Sequence, residues 1–202
     1  MSLWCAAAPL VLASKSEVRR TVLEAAGLPV EAVAAEIDER AIEAQAGLED
    51  AGEVAALLAR EKARRVADRL ADRLVVGADQ TLSLDRRRFS KPTSRAAARD
   101  QLLALAGRTH ELHSAVAVVR GDAIRYEHVA VARLTMRPCS AGFLDRYLDA
   151  AGSTVLASVG GYQLERIGVQ LFERIEGDHF TVLGLPLLPL LAFLRREGSL
   201  AS

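Results

Sequence analysis

The stretch from Leu74 to Leu84, LVVGADQTLSL, limits the possible folds more than any other part of the chain. An apolar, β-branched run gives way to a glycine, an alanine and a single carboxylate, Asp79. This pattern predicts a buried strand that presents one acid at its carboxyl end. In α/β folds, that end of the sheet carries the chemistry. The alternative is that Asp79 and Gln80 only open a turn, and spacing alone does not decide between the two.

The composition allows a substantial core and excludes several partners. The chain has 202 residues, of which 50% are hydrophobic, and 26 basic residues balance 26 acidic ones. Without net charge, no overall field attracts nucleic acid or an anionic membrane. Cys5 and Cys139 match neither a zinc spacing nor a disulfide framework, which indicates reduced thiols in the cytoplasm. The apolar stretch at 182–194 contains two prolines and is too short to span a bilayer.

Hydrophobic periodicity predicts strands alternating with helices. We expect strands at 9–13, 30–37, 74–84, 115–120 and 127–136, and a further pair on either side of Gly177. We expect helices after Ser14, at 52–70, 94–106 and 140–151, and at the carboxyl end. His110 and His113, three residues apart on a strand, would face opposite sides and are expected to be structural. The pattern favours one mixed α/β domain over residues 1–202, with two lobes around a cleft.

Cations and carboxylates gather at predicted strand ends and turns. Cations neutralise phosphate oxygens, acids hold Mg²⁺, and one carboxylate can activate water, so this set suits a triphosphate. Each residue also has a simpler explanation as a cap, a solvated face or a turn residue. No P-loop, GxGxxG, serine-hydrolase or HExxH motif narrows the choice. The residues alone indicate phosphate or metal chemistry, and they are Ser14, Arg19, Arg20, Glu39, Lys62, Asp79 and Lys91.

Seven motifs, in order and spread over nearly the whole chain, resemble the Maf family of nucleotide pyrophosphatases. They are LVLASKSEVRR at 10–20, IDER at 37–40, LAREKA at 58–63, GADQTL at 77–82, SKP at 90–92, LAGRTHELHS at 105–114 and GDHFTVLGLPL at 177–187. The resemblance implies a cytoplasmic homodimer related in fold to inosine-triphosphate pyrophosphatases, with an elongated mixed sheet. It also implies hydrolysis of a small-molecule nucleoside triphosphate between its α and β phosphates, with Mg²⁺ or Mn²⁺.

The resemblance assigns roles to the charged residues. Asp79 matches the acid that activates water, and with Glu39 it would hold the metal. Lys62 and Lys91 match the two catalytic lysines of the cleft. The remaining matches are to the basic, phosphate-binding loop after the first strand: Ser14, Arg19 and Arg20.

Three positions bear on the choice of base. The branch that resembles dTTP and UTP pyrophosphatases has an arginine, a threonine and a glutamine where this chain has Val18, Gln80 and Glu165. The combination looks more like the 7-methyl-GTP branch, which implies 7-methyl-GTP or another modified nucleotide as the substrate. A carboxylate at Glu165 can accept from the N1–H and 2-amino edge of guanine, and the alternative is that Glu165 is a solvated loop acid or part of a structural ion pair. The alternatives are a dTTP/UTP pyrophosphatase, or a nucleotide-binding protein linked to cell division that does not cut.

Overall fold

The computed structural model describes residues 2–202, which form one seven-stranded sheet flanked by helices. This confirms the predicted α/β class. The strands are β1 (Leu10–Leu12), β2 (Val30–Ala32), β3 (Val75–Leu84), β4 (Arg87–Phe89), β5 (Thr109–Arg120), β6 (Ala123–Met136) and β7 (Phe172–Glu176). The helices are α1 (Glu17–Ala25), α2 (Glu39–Ala46), α3 (Ala51–Ala67), α4 (Arg95–Leu105), α5 (Ala141–Ala151), α6 (His179–Val182) and α7 (Leu187–Arg196). None of the helices in this described range is both long and apolar enough to cross a membrane.

The sheet is mixed, as predicted. Its strand order is β2-β1-β3-β5-β6-β7, and β4 pairs with β3. Strand β1 runs parallel to β2 and β3, whereas β3 and β4, and β6 and β7, are antiparallel. The pairing of β1 with β3 ends at Val76, so the next residues of β3 extend past the end of β1.

The chain divides into two compact units. The first comprises the chain through Gln80, Ser114–Ala130 and His179–Ser202. The second comprises Thr81–His113 and Val131–Asp178. Strands β3, β5 and β6 each contribute residues to both.

The first unit has a hydrophobic core on each face of its strands. The residues of β1 and Ala13, which follows it, point alternately to opposite faces, so Leu10 and Leu12 join one cluster and Val11 and Ala13 join the other. The first cluster includes α1 and α7, and the second includes an alanine-rich face of α3. Each fully buried leucine of the first cluster contributes about 1.5–3 kcal/mol relative to exposure.

Helix α3 approaches β3 unusually closely at Gly77. A Cβ atom there would overlap the carbonyl oxygen of Ala59 and lie 2.7 Å from the amide nitrogen of Ala63. The strand backbone therefore packs directly on the helix backbone, with only alanine methyl groups between them. No other residue type fits at position 77 without moving one element.

The second unit packs α4 and α5 together, with short 3₁₀ turns at Gly152–Leu156, Val159–Gly161 and Ile167–Leu171. Three rings, His110, Tyr162 and Phe172, lie together, and the Tyr162 and Phe172 centroids are 4.8 Å apart. An ion pair between Arg99 and Asp145 links α4 to α5.

Three expectations about secondary structure were wrong. Asp79 does not lie at the carboxyl end of strand β3 but in its middle, since the strand runs from Val75 to Leu84. The second strand ends at Ala32, and Asp38 then caps α2 by accepting a hydrogen bond from the Ala41 amide at 3.1 Å. The positive φ of Glu36 interrupts the extended run before that cap. The residues after Gly177 form helix α6 where a strand was predicted.

Candidate active site

The first unit contains a cluster of one lysine and two carboxylates. Lys62 Nζ lies 2.6 Å from Asp79 Oδ1 and 2.7 Å from Glu39 Oε1. Lys62 and Asp79 are buried, whereas the Glu39 side chain is 48% exposed. Three residues predicted from the sequence thus meet, although they come from α2, α3 and β3.

The close contact at Gly77 explains how Lys62 reaches Asp79. Gly77 and Asp79 are two residues apart on β3 and face the same side. Lys62 precedes Ala63 on the helix that Gly77 touches. Because no side chain larger than a methyl group separates the helix from the strand, the lysine is held beside the carboxylate.

The electrostatics of the cluster suit a proton acceptor. Burial raises the pKa of Asp79 above its ordinary value, and the Lys62 ammonium and Arg19 guanidinium oppose that rise. A carboxylate with a raised pKa is a stronger base than an exposed one. The hydrogen bond from Lys62 fixes the orientation of the carboxylate.

Arg19 connects α1 to the strand that carries Asp79. Its Nη1 donates to the Ala78 carbonyl at 2.8 Å, and its Nε donates to the Gly184 carbonyl at 2.8 Å. A Cβ on Gly184 would lie 3.2 Å from Arg19 Nη2, so that glycine leaves room for the guanidinium. Burial lowers the pKa of Arg19, and the Asp79 and Glu39 carboxylates oppose the shift. The group stays charged at any biological pH.

The start of α1 lies in the same unit. Ser16 caps the helix by accepting from the Arg19 amide at 3.3 Å, and Ser14 Oγ accepts from the Ser16 amide at 3.1 Å. Helix N-termini favour anions because their first amide groups lack partners within the helix. Ser14 Oγ also lies 3.5 Å from Arg19 Nη1.

Gln80 points away from the Asp79 side of β3. Its Nε2 donates to Ser114 Oγ at 2.9 Å and to the carbonyls of Thr181 and Val182 at 3.1 Å. Ser114 Oγ in turn donates to the Thr181 carbonyl at 2.7 Å. Gln80 therefore ties β3 to α6, and its role in base selection stays a prediction.

The other predicted residues lie elsewhere. Arg20 is exposed on α1 and contacts Glu17 and Glu24 of the same helix. Val18 is half-buried on that helix. Lys91 and Glu165 are both exposed and belong to the second unit.

The Glu39 and Asp79 carboxylates are the groups that could hold a metal. Proteins often bind Mg²⁺ through one or two carboxylates together with substrate phosphates, and this donor set fits that mode. Within residues 2–202, no group of three or more His, Cys, Asp or Glu side chains could hold an ion without such help.

Sequence reasoning missed Ser114, Thr181 and Gly184. They fall inside the LAGRTHELHS and GDHFTVLGLPL motifs, so the signal was present. Only the fold reveals that Gly184 adjoins Arg19 and that the other two bind Gln80.

Comparisons with known proteins cover the whole chain. A profile described as Maf-like protein matches residues 9–197. A nucleoside triphosphate pyrophosphatase from Rhodopseudomonas palustris (strain ATCC BAA-98 / CGA009) is 56% identical over 201 residues, covering 100% of both chains. A 7-methyl-GTP pyrophosphatase from Rhizobium johnstonii (strain DSM 114642 / LMG 32736 / 3841) is 54% identical over 195 residues, covering 95% of this chain and 97% of its own.

Among solved structures, a HAM1 protein from Coxiella burnetii matches with a TM-score of 0.41 and 16% identity, covering 63% of this chain and 72% of that chain. A likeness at that level adds nothing to the assignment. The profile spans nearly every residue, and the two curated relatives align over essentially their full lengths. The chain belongs to the Maf family.

Proposed function

We propose that this protein hydrolyses a nucleoside triphosphate between its α and β phosphates, releasing the monophosphate and pyrophosphate. The observation that carries the proposal is the buried ion pair of Lys62 and Asp79, in which the Lys62 ammonium also pairs with the Glu39 carboxylate. Relatives named nucleoside triphosphate pyrophosphatase, at 56% identity over the full chain, support the same reaction.

Asp79 accepts the proton of the attacking water in this scheme. As the water oxygen bonds to the α-phosphorus, its proton passes to Asp79, and pyrophosphate leaves with the electrons of the broken P–O bond. Lys62 orients Asp79 and places positive charge next to the phosphates. Lys91 is the second catalytic lysine, assigned from the SKP motif.

Phosphate binding is assigned to Ser14, Arg19 and Arg20. Support comes from the capped start of α1, where Ser14 lies beside the Arg19 guanidinium. Arg19 has a second task, because its bonds to the Ala78 and Gly184 carbonyls hold α1 against β3. Arg20 contributes only long-range charge while it contacts Glu17 and Glu24.

A divalent cation, Mg²⁺ or Mn²⁺, is the proposed cofactor, held by Glu39 and Asp79 together with substrate phosphates. Such an ion stabilises charge that develops on the phosphate oxygens. The test is pyrophosphate release after removal of metal with EDTA and after stepwise return of Mg²⁺ or Mn²⁺. Turnover that is unchanged by EDTA would reject the cofactor.

The proposed substrate is 7-methyl-GTP. Support comes from Val18, Gln80 and Glu165, and from a relative of that name at 54% identity. The Glu165 carboxylate is exposed, so it can meet the donor edge of guanine, and a methylated guanine adds positive charge. A pyrimidine offers that acid fewer donors.

The decisive experiment measures pyrophosphate from 7-methyl-GTP, dTTP, UTP and inosine triphosphate side by side. We expect 7-methyl-GTP to give the highest kcat/KM, and Asp79→Asn to abolish release while leaving the fold intact. A clear preference for dTTP or UTP would reject the base assignment. Nucleotide binding without turnover, unchanged in Asp79→Asn, would favour the non-catalytic alternative.

The proposed setting is a homodimer in the cytoplasm. Free Cys5 and Cys139 suit a reducing compartment, and the family resemblance supports the dimer. Light scattering of the purified protein measures the mass directly. A monomer at micromolar concentration would reject the dimer.

A further inference from the structure

A tight loop in the second unit carries Glu165. This loop, residues 163–168, is called the Glu165 loop below. Its ends meet, because a Cβ on Gly168 would overlap the Gln163 carbonyl oxygen and lie 2.9 Å from the Gln163 nitrogen. The Arg166 amide also donates to the Gln163 carbonyl at 3.2 Å. Where the Glu165 carboxylate lies therefore depends on what holds the ends of the loop.

The residue before the loop, Tyr162, is fixed to the sheet. Its Oη and His110 Nε2 share a hydrogen bond of 2.7 Å, and both side chains are buried. The His110 ring also packs beside Phe172, which follows the loop at the start of β7. His110 thus contacts the chain on both sides of the Glu165 loop.

Two other hydrogen bonds hold the segment just before Tyr162, and both connect it to helices. The Gly160 amide donates to Gln101 Oε1 of α4 at 3.1 Å, and Tyr147 Oη of α5 donates to the Gly161 carbonyl at 3.2 Å. Gly160 and Gly161 have φ angles of +80° and +74°, which side chains disfavour. Of these three hydrogen bonds, the one between Tyr162 and His110 connects the segment to a strand, β5.

We propose that His110 is a positioning residue for substrate selection: through Tyr162 it fixes the Glu165 loop to β5 and so sets where Glu165 meets the nucleobase. This inference rests on the proposed function, and His110 itself does not touch the substrate. The ring remains neutral at working pH, because burial lowers the pKa of His110 to about 4. The protonation state of His110 in its hydrogen bond to Tyr162 is therefore the same at every pH at which the enzyme works.

The test compares four variants of the full-length protein, of which Glu165→Gln removes the charge that is proposed to meet the nucleobase. His110→Phe keeps an aromatic ring but removes the bond, whereas His110→Gln keeps an amide that can bond to Tyr162. Leu144→Val, at a buried site on α5 in the same unit, controls for a general loss of stability. The readouts are amide hydrogen exchange of the Glu165 loop and the ratio of kcat/KM for 7-methyl-GTP to that for dTTP.

We expect His110→Phe to speed exchange in the loop and to lower the selectivity ratio, each about tenfold, as for one buried hydrogen bond. His110→Gln and Leu144→Val should stay within about threefold of the wild type. The inference is overturned if His110→Phe leaves either readout unchanged. It is also overturned if Glu165→Gln does not alter selectivity, although the proposed reaction would stand.

Failure of the proposed function has a different signature. The wild-type protein would then release no pyrophosphate from any of the four triphosphates. That result would also remove the selective role of His110. The exchange measurement would still decide whether His110 holds the loop.

Discussion

Lowering the pH from 7 to 5 should destabilise the protein through one buried histidine. Burial lowers the pKa of His110 from its ordinary 6.5 to about 4 in the folded state. Between these values the unfolded chain binds more protons than the folded one, so the free energy of unfolding falls as the pH falls. The full shift is worth about 3 kcal/mol, of which about 2 kcal/mol is lost by pH 5.

The assay is urea unfolding, followed by circular dichroism, at several pH values. His110→Gln removes the titrating group, so the difference in unfolding free energy between wild type and variant isolates the contribution of His110. That difference should change by about 2 kcal/mol between pH 7 and pH 5. His179→Gln, at an exposed position, is the matched control for replacing a histidine by glutamine.

A flat difference between wild type and His110→Gln across this range would refute the reasoning. It would mean that the folded protein accepts a proton on His110 as readily as the unfolded chain does. The packing of His110 against Tyr162 and Phe172 would then have to open at low pH. Lower protection factors for the amides of β5 at pH 5, corrected for the slower intrinsic exchange, would reveal that opening.

Three further perturbations test the site. Gly77→Ala should lower the unfolding free energy by about 3 kcal/mol or more, because the added Cβ meets backbone atoms of α3. Urea unfolding measures the loss. Gly142→Ala, where nothing lies within 4 Å of the added Cβ, is the control and should cost nothing. Lys62→Met should lower kcat/KM at pH 7 at least tenfold and shift the acid limb of the pH profile upward, because Asp79 loses the ammonium that lowers its pKa; an unchanged profile would contradict the coupling. Arg19→Lys should cost about 1–3 kcal/mol of stability by losing bonds to backbone carbonyls, and an unaltered urea midpoint would contradict that role.

The sequence predicted a mixed sheet and most of the helices, and the family motifs singled out Lys62, Asp79 and Glu39 as cleft residues. Long periodic segments such as α3 and β6 were readable because burial on one face leaves a repeating pattern. The charged cluster followed from the family motifs rather than from periodicity. Spacing alone left Asp79 balanced between a strand end and a turn.

The errors have physical causes. Helix α2 buries none of its residues, so its sequence has no apolar stripe that would predict a helix. The capping residue Asp38 is the only local signal for its start. Helix α6 has four residues, HFTV, whose aromatic and β-branched side chains favour a strand. Tertiary hydrogen bonds favour the helix over a strand at α6, since the Thr181 and Val182 carbonyls accept from Gln80.

Tertiary packing also hides the reason for two glycines. Gly77 sits in an extended strand, where glycine is unfavourable, and nothing in the neighbouring letters explains it. Gly184 has a φ of +86°, yet its proximity to Arg19 is a second and independent constraint. Neither constraint can be predicted from the sequence, because each depends on which residues pack against the glycine in the fold.

The contact at Gly77 has a mechanical consequence. A helix separated from a strand by flexible side chains can slide or tilt as those side chains change rotamer, but α3 rests on backbone atoms. A slip of one residue along the helix axis, about 1.5 Å, is enough to break the bond between Lys62 and Asp79. The Lys62–Asp79 pair is therefore aligned by the main chain, and residues on the outer face of α3 can change without disturbing that alignment.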